Sequence, residues 1–390
     1  MDFTLTPDQQ MMVDTARKVG GAFGLDYWRE IDKEQRFPTE FWKAVCQAGL
    51  CGAALPESVG GSGLGMLDLV LIVEALAESG GGSTVGQLFM VNPIFIGVSL
   101  SKFGQPALRD AVLPGIISGD INGCMALTEP DAGTNTLELR SFAAADGDGW
   151  RLNGQKIWIT AVPDAAKMLV VARTRKLEPG LRRTDGLSMF MIDVDRPGLT
   201  WSKIDKLGTR TLASCTVFFD NVRIEPGELV GTLDGGWREL LDVLNTERLV
   251  TTAGLTGTTD LALRLAVGFA NNRKVFGDKP IAAYQGLQFP LAQCKAENEA
   301  ARVLNYKAAA NFDAGLLYGS EANWAKLLAA QTCARATERS MQTMGGMGFA
   351  SDSHVERLWR DCRLFRFAPV SEEMVLNYIA VHDMGMPRGY

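Results

Sequence analysis

Histidine is nearly absent from this chain: His354 and His382 are its only two. Ser-His-Asp catalysis and histidine metal clusters therefore have little to work with. A general base is more naturally a carboxylate. His354 stands beside Val355-Glu-Arg-Leu-Trp359, on an expected helix, and is read as structural. Paired cysteines are missing too. The seven cysteines are scattered and none forms Cys-x-x-Cys, which argues against metal and disulfide frameworks and for a reducing cytoplasm. There is no excess of positive charge, since 39 basic against 45 acidic residues leave a net charge of −6. That argues against nucleic acid as a partner, because phosphate binding needs a basic face. No apolar run reads as long enough to span a membrane, and the polar, acidic opening Met1–Asp8 is unlike a signal peptide. What remains is ordinary for a soluble enzyme of two or three domains, with 46% hydrophobic and 22% charged residues.

The periodicity changes twice along the chain. Residues 1–121 read as helices: Thr6-Pro7-Asp8 is a helix start with proline in the first helical position, and Val70–Ala77 is an almost wholly apolar helix. The glycines of Gly60–Gly65 and Gly80–Gly82 break the pattern, read as flexible helix connections and not as a dinucleotide fingerprint, because no strand precedes them. Residues 122–231 read as strands. Asn153-Gly154 lies between two extended runs and predicts a hairpin turn. Met168–Ala172, Leu187–Ile192 and Cys215–Phe219 follow, separated by Pro, Gly and charged turns. With no long helix between them, a small antiparallel sheet fits better than a βαβ unit. Residues 232–390 return to long helical patterns, over 239–273, 287–313 and 322–344. The expected fold class is multidomain α+β: an N-terminal helical domain, a middle antiparallel β-barrel or sandwich, and a C-terminal four-helix bundle.

The most informative stretch is Ala126-Leu-Thr-Glu-Pro-Asp-Ala-Gly-Thr-Asn-Thr136. Gly133 frees the backbone, Pro130 restricts it, and Thr128 and Thr134 offer hydroxyls, so such a loop can follow a large polar ligand closely. Read alone it is equally a surface turn built of the usual turn residues. A second segment, Ile157-Trp158-Ile159-Thr160, ends the extended run; a tryptophan near a strand end is by itself most often core.

Together the two segments resemble the acyl-CoA dehydrogenases, and further matches follow in order: Asp220–Ile224, Glu247-Arg248, Arg273-Lys-Val-Phe-Gly277 with Gln285, Gln342-Thr-Met-Gly-Gly-Met-Gly-Phe349, and Arg360-Asp361. The resemblance runs the length of the chain. It implies FAD as cofactor. The loop and the Trp-x-Thr strand would cradle the isoalloxazine, with Leu127, Thr128 and neighbouring amides at its pyrimidine edge. Gly133 would belong to the same loop, Thr134 would bond the pyrophosphate, Trp158 would wall the ring and Thr160 would reach toward N5. Arg273, Phe276, Gln285, Gln342, Gly345 and Gly346 resemble the elements that bind the ADP half, reaching in from a neighbouring subunit. The resemblance thus implies a dimer of dimers, a homotetramer. Val275 departs from members that carry a hydroxyl residue there. Thr134 and Arg248 are implied to touch the acyl-CoA substrate, and an electron-transfer flavoprotein is the implied electron acceptor.

The base departs from the commonest arrangement. Most members place a glutamate late in the chain, before Gly-Thr or Gly-Ser. Here Arg363–Met374, aligned through Arg360-Asp361 and Ile379-Ala380, puts Pro369 at that position. In isovaleryl-CoA and long-chain members the base comes from a helix and directly precedes an arginine, and crotonobetainyl-CoA reductase-like members have the same pair. Glu247-Arg248 matches that site, so the resemblance implies Glu247 as the catalytic base for α,β-dehydrogenation of an acyl-CoA thioester. Glu372 and Glu373 read as first-turn acids of the following helix. Pro369 also lacks the N–H that would hold the thioester carbonyl. Two alternatives share the fold: a flavin monooxygenase or oxidase acting without CoA, and a non-catalytic FAD- or CoA-binding subunit of a heteromeric complex.

Overall fold

The first helix starts where its local chemistry demands. The Thr6 hydroxyl accepts the Gln9 N–H at 3.2 Å, the Gln9 side chain accepts the Thr6 N–H at 3.1 Å, and Pro7 occupies the first helical position. The computed structural model describes residues 4–178, 180 and 182–389; Met1–Phe3, part of the opening read as unlike a signal peptide, lie outside them. Helices α1 (Pro7–Gly21), α2 (Gly24–Glu34), α3 (Thr39–Gln47), α4 (Met66–Leu76), α5 (Ser83–Phe89), α6 (Ser99–Phe103) and α7 (Pro106–Ser118) form the first layer. The apolar α4 is buried along nearly its whole length, as expected.

Two readings of this region need correction. Ser83–Phe103 is a helical run long and apolar enough to cross a membrane by length and composition, yet most of it is buried within the protein. It is a core element, with α5 packed on the C-terminal helices. Gly80–Gly82 is not a flexible connection either: a Cβ on Gly81 would lie 2.5 Å from Val85 Cγ2 and 2.8 Å from Trp28 Cζ2. These glycines let the chain turn hard against a buried indole.

The middle of the chain is a sheet ordered β6-β7-β3-β2-β4-β5-β8, with β1 beside β4. The strands are β1 (Gly123–Ala126), β2 (Phe142–Asp146), β3 (Gly149–Thr160), β4 (Lys167–Arg173), β5 (Leu187–Asp193), β6 (Leu199–Ile204), β7 (Ser214–Ile224) and β8 (Leu229–Val230). Most pairs are antiparallel, but β1 runs parallel to β4, so the sheet is mixed. The unbroken apolar run of β4 has a physical reason. Met168, Val170 and Ala172 face the inner core with Phe190 and Val217. Leu169 and Val171 face Ile96, Leu113, Ile116 and Leu240 of the flanking helices. Both faces are buried, so no polar alternation survives.

The hairpin expected at Asn153-Gly154 lies elsewhere. The chain turns at Gly147-Asp148, where Asp146 pairs with Gly149, and β3 continues through 153 and 154. Gly154 marks an irregularity between Leu152 and Gly154 in the β3–β7 register. Its φ is 148°, and an added Cβ would sit 2.4 Å from Ser141 Oγ. Close backbone approach, not a turn, requires this glycine.

The C-terminal part consists of α8 (Gly236–Asn272), α9 (Gln285–Asp313) and α10 (Gly319–Met344), followed by the shorter α11 (Val355–Cys362) and α12 (Glu372–Tyr378). Helix α8 packs on α9 and α10 on one side and on α4 and α5 on the other. His354 stands at the N-terminal boundary of α11 with φ 63°, just outside the helix expected to carry it. Gly154→Ala should destabilise the fold by about 2–4 kcal/mol, from backbone strain plus overpacking. Gly147→Ala, with positive φ but open space around it, should cost about 1 kcal/mol. Chemical denaturation compares them, and equal losses would contradict the close-approach argument.

Candidate active site

The loop of residues 126–136 is held by a buried lysine. Lys156 on β3 is fully buried; its Nζ donates to Glu129 Oε1 and to the Leu127 carbonyl, both at 2.9 Å. Glu129 also accepts the Arg140 and Ser141 N–H groups, at 2.7 and 3.0 Å. One backbone bond, Ile157 N–H to the Thr128 carbonyl at 2.9 Å, completes the junction. Burial draws Lys156 down to about 8, against the upward pull of Glu129. Burial by itself would raise Glu129, but the Lys156 charge and the hydrogen bonds outweigh it and leave the carboxyl below its ordinary value. Leu127 and Thr128 are half-buried, whereas Gly133 and Thr134 are exposed. The space above Gly133 is open, since an added Cβ would meet only Thr128 Cγ2 at 3.9 Å.

Next to this junction β3 bulges. Lys156 pairs with Val217 but Ile159 pairs with Cys215, so one extra residue is accommodated. Trp158 takes a φ of 63° and stays 54% exposed. A large aromatic held in the left-handed region and left open to water offers a flat face on which a ligand could stack. Thr160 follows, half-buried. Neither the Thr128 nor the Thr160 hydroxyl finds a hydrogen-bond partner among the described residues. Flat aromatic face, free hydroxyls and open glycine therefore lie on two segments that one ion pair joins.

The acid–base candidate lies on a different element. Glu247 lies on α8 and is buried, and among the described residues no hydrogen bond reaches its carboxylate. Burial pushes it up to about 8, opposed by the charges of Arg248 and Lys326. Arg248 donates through Nη1 to Asn245 Oδ1, but its Nε is buried without a partner, as is the Tyr318 hydroxyl. Burial lowers Arg248 and raises Tyr318, and each feels the other. Such orphaned polar atoms beside an ionisable glutamate suit a polar ligand.

The segment at Pro369 is strapped down. Lys326 of α10 donates to the Phe365 carbonyl at 2.7 Å and the Val370 carbonyl at 2.6 Å. Ser371 caps α12, and Arg366 forms a forked pair with Glu372 at 2.7 and 2.8 Å. That pair holds Glu372 below its ordinary value, and Glu372 and Glu373 both fall on the first turn of α12, as read. An acid so committed is a poor base.

The remaining candidates lie apart from the cradle. Arg273 ends α8, Phe276 is 99% exposed, and Gln285 opens α9. Gln342, Gly345 and Gly346 are exposed around the end of α10. Among the described residues no hydrogen bond or ion pair joins them to the 126–136 loop or to Trp158. A cavity of about 910 Å³ opens instead between α1, α4, α8 and α9, beside Leu71, Leu263 and Leu291, and holds none of the site residues. Sequence reasoning missed Lys156, Glu129 and Lys326. For Lys326 the available signal was a charge set among apolar neighbours, Ala325-Lys326-Leu-Leu; Glu129 and Lys156 lie beside polar neighbours and carried no such signal.

Comparison with known proteins matches residues 6–120, 124–222 and 234–382 to the acyl-CoA dehydrogenase N-terminal, middle and C-terminal domains. The chain is 36% identical over 370 residues to acyl-CoA dehydrogenase FadE12 of Mycobacterium tuberculosis, covering 94% of each. It is 33% identical over 381 residues to the mitochondrial short-chain specific acyl-CoA dehydrogenase of Bos taurus, covering 97% of this chain and 90% of the relative. Its fold is similar to that of a glutaryl-coenzyme A dehydrogenase solved with glutaryl-CoA, with a TM-score of 0.94 at 30% identity over 100% and 98% of the two chains.

Lys156→Met should destabilise the protein by about 3–5 kcal/mol, because it strands the buried Glu129 charge. Adding Glu129→Gln should recover part of the loss. Glu129 contributes stability above the ordinary carboxylate pKa, and that contribution disappears as pH falls through its lowered folded value. The gap between wild type and Lys156→Met should therefore narrow in acid. Thermal melts across pH read this, and a gap independent of pH would rule out the charge argument.

Proposed function

The chain belongs to the acyl-CoA dehydrogenase family, FAD-dependent oxidoreductases acting on CH–CH bonds, and on that footing we propose that Glu247 is its catalytic base. The substrate is an acyl-CoA thioester and the product the trans-2-enoyl-CoA. FAD, when bound, supplies the acceptor for the hydride that leaves the β-carbon. The residues present fit it: an aromatic face at Trp158, free hydroxyls at Thr128 and Thr160, and open space above Gly133. Leu127, Thr128, Gly133, Thr134, Trp158 and Thr160 would hold its ring and pyrophosphate.

Glu247 takes the α-proton. A carboxylate in a dry pocket is a stronger base than in water, and Glu247 is pushed up to about 8. That displacement, without any hydrogen bond to tie the carboxylate down, is the observation that carries the reading. The neighbouring Arg248 limits the rise, and with Thr134 it would contact the substrate. Pro369 stands where most of the family carry their glutamate, and it has no N–H to offer the thioester carbonyl, so one donor to the developing enolate oxygen would be missing.

Arg273, Phe276, Gln285, Gln342, Gly345 and Gly346 are read as completing the ADP half of a neighbouring subunit's site. The exposure of Phe276 at 99% and Phe349 at 82% supports such a homotetrameric dimer of dimers. An electron-transfer flavoprotein is the proposed electron acceptor. All seven cysteines are free and buried, in keeping with a reducing, cytoplasmic setting.

Anaerobic bleaching of the bound flavin by a panel of acyl-CoA thioesters tests the proposal. Glu247→Gln should slow bleaching by about 10²–10⁴-fold. The wild-type rate should rise with pH through about 8 as Glu247 ionises. Stability should move the other way. The raised folded pKa costs the fold increasingly from the unfolded carboxylate value up to about 8, so Glu247→Gln should melt higher than wild type at alkaline pH. Undiminished bleaching by Glu247→Gln would sink the assignment. Flavin that no thioester bleaches in the wild type would favour a non-catalytic subunit.

A further inference from the structure

We propose that Lys326 is a positioning residue for this reaction, holding the 365–370 segment in place with two hydrogen bonds while setting its positive charge against Glu247. Lys326 is fully buried on α10, among Ala325, Ala329 and Ala330. Its ammonium bonds to the carbonyls of Phe365 and Val370, which bracket Pro369. No carboxylate lies within ion-pair distance of it among the described residues.

An ammonium that is dry and bonded only to neutral carbonyls is costly to keep. A neutral donor could bridge two carbonyls at lower cost. The charge therefore has a further use, and the groups around it indicate which. Glu372, Glu247 and Glu373 act on Lys326 from the acidic side and Arg248 from the basic side. Glu372 is taken by Arg366, and Glu373 is exposed. Glu247 is the buried acid left without a hydrogen bond, and Lys326 and Arg248 are the cations that favour its charged form. Burial holds Lys326 itself down to about 8, so its charge is fullest where Glu247 begins to ionise.

Two consequences follow from one side chain. Without Lys326 the segment carrying Pro369 loses two hydrogen bonds to α10. Without its charge Glu247 ionises at higher pH. The second consequence rests on Glu247 being the base; the first does not.

The test uses the FAD-loaded protein with Lys326→Met and Lys326→Gln. Amide hydrogen exchange over residues 363–371 reads the fastening. Lys326→Met should speed exchange there at least tenfold while α10 stays protected, and Lys326→Gln, which keeps two N–H donors, should change it less. The pH profile of anaerobic flavin bleaching reads the charge. Both variants should shift the rise to higher pH, the direction expected for losing an opposite charge. If Lys326→Met does not fold, Lys326→Gln carries both readings. Unchanged exchange in Lys326→Met, or bleaching by Lys326→Gln that falls by the same factor at every pH, would overturn the proposal. If Glu247→Gln bleaches normally, the base assignment fails, and the exchange result still decides the fastening separately.

Discussion

The buried pair of Lys156 and Glu129 is the constraint on which the ligand cradle rests, because it joins two segments that share no strand ladder. The loop of residues 126–136 leaves β1, which pairs with β4, while Trp158 and Thr160 belong to β3. One lysine spans the gap to the Leu127 carbonyl and the Glu129 carboxylate. Two charges in a dry place are expensive, and their attraction alone rarely makes up the loss. Here the remaining lone pairs of Glu129 meet the Arg140 and Ser141 amides. The pair thus specifies one geometry for the loop more than it adds stability. The bulge beside it turns the Trp158 ring toward solvent, so the aromatic face and the loop hydroxyls are positioned by the same few residues.

The candidate base follows a different principle. Glu247 is buried, and among the described residues no hydrogen bond reaches its carboxylate, so burial raises it to about 8. Two cations moderate that rise, Arg248 beside it on α8 and Lys326 across on α10. Pro369 lies within the segment that Lys326 holds, since its ammonium bonds to the carbonyls of Phe365 and Val370. Helices carry the candidate base and the strap, whereas a strand and a loop carry the candidate cradle. A site divided in this way can change its base position without disturbing its cofactor.

Much of the fold was legible along the chain because period and punctuation were clear. Thr6-Pro7 opened a helix, the apolar run at β4 was a strand, and the helices over 236–272, 285–313 and 319–344 appeared within a few residues of expectation. Asn153-Gly154 misled, because the residue pair that favours a hairpin also suits a bulge where another strand presses close. Ser83–Phe103 was overlooked: it is long and apolar enough to cross a membrane by length and composition, yet it is buried in protein. The cradle loop, the Trp-x-Thr strand and Glu247 were found through resemblance; Lys156, Glu129 and Lys326 were not, because a lone charge gives no sign of its partner.

The sequence by itself determined the order of helical, strand and helical regions, the family, its cofactor and the identity of the candidate base. Those depend on local periodicity and on motifs short enough to be read in one place. Only the tertiary structure decided how Glu247 stands as an acid, which loop Lys156 fastens, and what Lys326 holds. Each depends on groups from distant parts of the chain, Glu129 with Lys156 and Glu247 with Lys326. Burial and long-range charge arise only once those parts are packed together, and they set both the basicity of Glu247 and the shape of the cradle.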